Sequence, residues 1–220
     1  MASAIMANAV ELTVKENTIV DIGAWTARGE QDKLGAAFKA GFDAGLTLNE
    51  AKELVGQLYA YCGFPRALNA AGTLMKVWNE GNGELGTGNR KWGEGPAANM
   101  PRGSLGERAL PVGTANQTKL CGGPVKGALF DFHPQLDEYL KTHLFGDIFA
   151  RDNIDWRTRE IVTIAALEAW MREIGVAMNI TELGATEAMI PELVKATFRL
   201  GGGYKQLTEG EVAEIFRQSL

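Results

Sequence analysis

The feature that most constrains the fold is a repeat. Residues 15–27, "KENTIVDIGAWTA", align without gaps with residues 157–169, "RTREIVTIAALEA". A second word follows each: "GLTLNEAKELVGQLYAYCG" from Gly45 aligns with "GATEAMIPELVKATFRLGG" from Gly184. Gly45, Thr47, Glu53, Leu54, Val55 and Gly63 meet Gly184, Thr186, Glu192, Leu193, Val194 and Gly202. The stretch between the words is three residues shorter in the second copy. Two copies of a small unit in 220 residues point to an internal pseudo-twofold pairing. Each copy alone is too short for a comfortable core, so the copies are expected to pack face to face.

The repeated words read as helix. After Thr47 the apolar residues Ala51, Leu54, Val55, Leu58, Tyr59 and Cys62 recur at helical spacing and form one stripe. Capping boxes are expected at Thr13–Glu16, Thr47–Glu50 and Thr208–Glu211, where a hydroxyl and a glutamate three residues on satisfy each other's backbone N–H. Gly63 stops the helix and Pro65 suits the first turn of the next. Leu136, Tyr139, Leu140, His143 and Leu144 make a further stripe. No run of alternating apolar residues marks a strand. The expectation is an all-α chain: a first helical unit over 10–80, an irregular linker rich in Gly and Pro over 81–130, and a second unit over 131–220.

Charge and cysteine usage narrow the function classes. A net charge of −5 gives no attraction to nucleic acid or to an anionic membrane. The longest apolar run, near 161–170, is too short to span a bilayer. The first basic residue is Lys15, so a signal-peptide start is absent from the pattern, and a cytoplasmic setting is expected. Two cysteines, Cys62 and Cys121, make no disulfide framework. Two histidines, His133 and His143, lie ten residues apart with no Cys-x-x-Cys nearby, so neither a metal nor another cofactor is expected. "GNGELG" (81–86) follows a helical pattern rather than a strand and is rejected as a dinucleotide fingerprint. The triple glycine at 201–203 reads as a helix terminator.

Candidate chemistry gathers around "YAYCGFPRALNA". A thiol at Cys62 near a helix N-terminus, with Arg66 four residues on, would be biased toward thiolate. On the apolar stripe the same residue would be a small hydrophobe. Glu53 falls roughly opposite Cys62 on the helix and shares a side with Gln57 and, more loosely, Tyr61. Buried there, its carboxyl could act as acid or base, or serve as the structural partner of a cation. His143 could transfer protons or simply pack. Gln57, Tyr61 and Arg66 are the substrate-binding candidates, Arg66 because an anionic substrate needs a cation. Arg157 and Arg159 could also clamp a carboxylate, although such a cluster is more often a solvated helix start or an intersubunit salt bridge.

"GLTLNEAKELVGQLYAYCGFPRALNA" and "HLFGDIFARDNIDWRTREIVTIAALEA" resemble the carboxymuconolactone decarboxylase family, which includes the alkylhydroperoxidase-D type. The resemblance implies tandem alkylhydroperoxidase-D-like helical repeats and a homo-oligomer, a trimer or hexamer. It implies cofactor-independent decarboxylase or lactone chemistry on a small anionic organic molecule. Its alternatives are a thiol-dependent peroxidase using Cys62, and a non-catalytic oligomeric ligand-binding protein. The peroxidase branch carries Cys-x-x-Cys and a histidine on the helix before the "GLT" turn. Here that helix reads "RGEQDKLGAAFKAGFDA" in one copy and "WMREIGVAMNITEL" in the other, with neither residue type. Decarboxylase-type members often keep a histidine on this helix; the similar words here place Glu173.

Overall fold

The computed structural model describes residues 11–82, 91–99, 104–197 and 207–220. Among them every regular element is helical and none is a strand. In chain order the α-helices are α1 (Val14–Arg28), α2 (Gln31–Asp43), α3 (Leu48–Asn82), α4 (Ala109–Cys121), α5 (Ala128–Phe132), α6 (Pro134–Tyr139), α7 (Trp156–Glu173), α8 (Ile190–Ala196) and α9 (Glu209–Gln218). A π-helical stretch, Leu140–Ile148, continues α6, and short 3-10 turns precede α4 and α8. The chain divides into two compact units. The first is Met1–Ala98 with Asn153–Trp170, and the second is Asn99–Asp152 with Met171–Leu220. The division therefore differs from the expected three blocks, because the word at 157–169 belongs to the first unit.

Local chemistry sets the helix ends of the first unit. Thr13 and Glu16 close the expected capping box on α1, and Gly29 ends that helix in the left-handed conformation at φ 71°. At α3, the Thr47 hydroxyl accepts from the Glu50 N–H at 3.3 Å and the Glu50 carboxylate accepts from the Thr47 N–H at 2.8 Å. Glu50 also binds Lys15 at 2.8 Å, which ties α3 to the start of α1. The expected stripe on α3 is the core-facing one: Ala51, Leu54, Val55 and Leu58 are buried, and Tyr59 and Cys62 pack against them. Ile19 and Ile22 from α1, Leu34, Phe38 and Phe42 from α2, and Val162 and Ala166 from α7 complete this core. Burial of each large aliphatic or aromatic side chain here contributes about 1.5–3 kcal/mol before entropy is set against it.

Helices α1 and α7, which carry the two aligned 13-residue words, cross closely. A Cβ on Gly23 would stand 2.7 Å from the Val162 carbonyl and 3.2 Å from the Ala165 Cβ. Gly23 and Ala165 are equivalent positions in the alignment. The absence of a side chain at Gly23 is what lets the helices meet at this point.

The second unit corrects two expectations. The stretch 81–130, read as an irregular linker, contains the 13-residue helix α4. Pro111 and Gly113 interrupt its apolar pattern, yet a proline in the first turn sacrifices only an N–H that has no helical partner. The stripe through Leu136, Tyr139 and His143 is also not the packed face, since all three are exposed. Phe145, Gly146, Ile148 and Phe149 are buried instead. From Leu140 to Ile148 the π-helix bonds i to i+5, so a period of 3.6 misassigns the faces of that stretch, His143 included. Thr208 and Glu211 close the third expected capping box, on α9. Residues 83–86 of "GNGELG" and the glycines at 201–203 lie outside the described residues.

Candidate functional site

The site begins with a break in α3. Gly63 takes φ 77° and ψ 166°, a conformation closed to most other residues, so the helix stops and restarts there. Pro65 sits in the first turn after the break. Tyr61 and Cys62 end the segment before it, and Arg66 opens the segment after it. These three side chains, with Ala27 from α1 and Ala166, Leu167 and Trp170 from α7, line a cleft of about 270 Å³. One wall is therefore apolar and aromatic, and the other carries a phenol, a thiol and a guanidinium.

Arg66 is held by backbone. Its Nη1 donates to the Arg28 carbonyl at 2.7 Å. Gly29 makes the room, because any Cβ at that position would overlap the guanidinium. Among the described residues no carboxylate pairs with Arg66. A cation that lines a half-apolar cleft without an internal counter-ion is a ready partner for a ligand anion.

The thiol departs from its expected electrostatics. Cys62 closes a helical segment instead of opening one. Burial pushes its pKa up, and the attraction of Arg66 offsets only part of that rise. A thiolate is thus disfavoured at neutral pH. Cys121, the other free cysteine, ends α4 in the second unit and is exposed.

Behind the cleft lies a buried polar cluster. Arg159 of α7 is fully buried and donates from Nη2 to the Glu53 carboxylate at 3.0 Å and from Nη1 to the Gln57 carbonyl at 3.1 Å. The Gln57 amide in turn donates to the Thr163 hydroxyl at 3.2 Å. So Glu53, Gln57 and Tyr61 share one side of α3, as their spacing predicts. Burial raises the Tyr61 pKa, the nearby Glu160 carboxylate adds to the rise, and Thr163 opposes it. Burial likewise pushes the Glu160 carboxyl up. Tyr61 is therefore a neutral phenol at physiological pH.

Glu53 and His143, the two proton-transfer candidates, are not among the residues that line this cleft. Glu53 is the buried counter-ion of Arg159 and is not part of the cleft lining. His143 belongs to the second unit, on the π-helical stretch, where its side chain is half exposed and its Nδ1 lies 3.4 Å from the Asp147 carboxylate. The aligned Glu192 is exposed and pairs with Lys195 at 3.0 Å. Among the described residues no three His, Cys, Asp or Glu side chains are grouped to hold a metal.

Sequence reasoning missed how Arg159, Thr163 and Trp170 are used. The reading of "RDNIDWRTRE" as a solvated helix start holds for Arg157, which is half exposed and pairs with Glu16 at 2.9 Å. It fails for Arg159. The signal was available: Arg159, Val162, Thr163 and Ala166 form an i, i+3, i+4, i+7 stripe, and all four are buried. Compared with known proteins, the chain matches no family model and no curated protein.

Proposed function

We propose that the chain is a cofactor-independent enzyme of the carboxymuconolactone decarboxylase type, acting on a small anionic organic molecule in the cleft at the α3 break. The observation that carries this reading is Arg66, a cation without a carboxylate partner among the described residues, beside a neutral phenol and an aromatic wall. Decarboxylase and lactone chemistry asks a protein for little beyond such parts. A fixed cation holds the carboxylate and stabilises developing negative charge, and a nearby acid returns a proton to carbon. Tyr61 supplies the acid in this reading, in the role first given to Glu53 or His143.

The thiol-peroxidase reading is less favoured. It requires Cys62 as thiolate, whereas burial stabilises the thiol, and resolution of a sulfenic acid requires a second thiol. A thermal-shift screen against small carboxylates and lactones, with a parallel peroxide-consumption assay using a dithiol reductant, separates the readings. Cys62→Ser is expected to keep carboxylate binding, and Arg66→Ala to lose it. Rapid peroxide turnover that disappears in Cys62→Ser would overturn the proposal. Binding without turnover of any carboxylate or lactone would favour a ligand-binding protein.

We also propose a homo-oligomer, a trimer or hexamer. Phe64, Leu68 and Met75 stand exposed on α3 at i, i+4 and i+11, with Ala71 between them at i+7. This apolar stripe has the spacing of a helix-pairing seam. Light scattering is expected to give a multiple of 23.7 kDa, and a monomer mass at micromolar concentration would reject assembly.

A further inference from the structure

The two arms of α3, parted at Gly63, fold back on each other. The far ends are tied together by the segment that follows. The Asn82 side chain accepts from the Trp92 N–H at 2.8 Å and donates to the Trp92 carbonyl at 3.0 Å. The next carbonyl, that of Gly93, accepts from the Leu48 N–H at 3.1 Å. Leu48 opens α3 and Asn82 closes it, so the arms lie side by side and run in opposite directions. Between them is a groove of about 270 Å³ that shares no lining residue with the cleft at the break. Leu48 and Val55 of the first arm and Leu74 and Trp78 of the second are buried and form its floor. Ala71 and Met75 are exposed and stand at the rim. From Leu48 to Val55 the groove follows two turns of helix, about 10 Å.

The other two lining side chains are polar, Lys52 and Asn79. Lys52 is exposed, and no acidic residue stands three or four positions from it on α3. Among the described residues no carboxylate pairs with Lys52, and the Asn79 side chain has no hydrogen-bond partner. Helix side chains lean toward the N-terminus, so Lys52 leans to the Leu48 end. Asn79, three residues before Asn82, lies at the same end of the opposite arm. The groove thus has one polar end and an apolar length.

We infer that this groove binds a straight-chain aliphatic carboxylate, its chain along Leu48, Val55, Leu74 and Trp78 and its head group on Lys52 and Asn79. The head follows from charge: an ammonium and an amide, one from each arm, donate to the two oxygens of a carboxylate. The tail follows from the floor, where three of the four side chains are aliphatic and suit methylenes rather than the hydroxyls of a sugar. Ala71 and Met75 also belong to the stripe proposed for assembly, so a second copy is the competing occupant. An apolar side chain from that copy would leave Lys52 without a counter-charge, whereas a carboxylate supplies it. The site is independent of the anion site at Arg66.

Calorimetric titration in an Arg66→Ala background, which removes the cleft cation, reads the groove alone. Butyrate, hexanoate and octanoate are the probes, octanol and octylamine the head-group controls, and circular dichroism checks the helicity of each variant. Benzoate, whose flat ring suits the Trp170 wall, is titrated into wild type to report on the cleft. Each methylene added between butyrate and octanoate is expected to tighten binding by up to about 4-fold, the gain for full burial. Octylamine is expected to bind more weakly than octanoate. Lys52→Met keeps the apolar stem and removes the charge. It is expected to weaken octanoate about 5-fold, the size of a solvent-open ion pair, and to leave octanol unchanged. Ala71→Phe, a change at an exposed position, is expected to fill the groove and abolish octanoate binding. No octanoate binding by Arg66→Ala at millimolar concentration would overturn the inference, and benzoate binding by wild type in the same series would leave the anion site standing. Equal octanoate affinity with and without Lys52, or no dependence on chain length, would overturn the ligand class. Octanoate bound only after Met75→Glu has turned an assembly into monomers would mean that a second copy fills the groove, and would overturn the inference.

Discussion

Replacing Glu53 with leucine is expected to cost about 3–5 kcal/mol of stability, among the largest effects of any single substitution in the chain. Arg159 is fully buried, and the Glu53 carboxylate accepts from it at 3.0 Å. Removing the carboxylate leaves a guanidinium that keeps its proton under all working conditions and has no route to water. The guanidinium cannot shed its charge, so the loss of this carboxylate is costly. The paired replacement Glu53→Leu/Arg159→Leu is expected to recover most of the loss, because it removes both charges and fills the site with apolar volume. Urea unfolding followed by circular dichroism measures both. A loss below about 1 kcal/mol for Glu53→Leu, the range of solvent-exposed ion pairs, would show that the pair is open to water.

Gly113→Ala is expected to disrupt the second unit by more than the 1–3 kcal/mol of ordinary overpacking. Helix α4 and the π-helical stretch touch backbone to backbone there. A Cβ on Gly113 would overlap the Lys141 carbonyl and stand 2.8 Å from the Gly146 nitrogen. On the facing side, a Cβ on Gly146 would lie 2.7 Å from the Ala109 carbonyl. Asn116 donates to the Phe145 carbonyl at 2.7 Å across the same contact. These neighbours are main chain, which cannot swing aside as the end of a long side chain can. Hydrogen exchange localises the effect. Amides of α4 and of 140–150 are expected to lose protection in Gly113→Ala, while those of α1 and α2 keep theirs. Unchanged protection in α4 would mean that the helices are not in this close contact in solution.

What the sequence made legible is what local chemistry decides. The three capping boxes, the stop at Gly63 and the buried stripe on the first half of α3 all follow from spacings within about eleven residues. Helix α4 was hidden because Pro111 and Gly113 are breakers by type, while their positions make them harmless or even required. His143 was misjudged because a π-helix has a different period. The site itself was half legible. Cys62, Arg66, Tyr61 and Gln57 were named from one word, yet the partner that organises Gln57 and Glu53 comes from a residue more than 100 positions away. Arg159 aligns with Asn17, and an asparagine cannot supply the charge that a buried glutamate needs. Glu192, aligned with Glu53, is exposed and bonded to a neighbouring lysine.

The most direct test of the central claim is a crystal structure of the protein with benzoate bound. Ligand density is predicted in the cleft at the α3 break, with the carboxylate within hydrogen-bond distance of Arg66 and the ring against Trp170. Benzoate bound elsewhere with this cleft empty, or its carboxylate turned away from Arg66, would contradict the account.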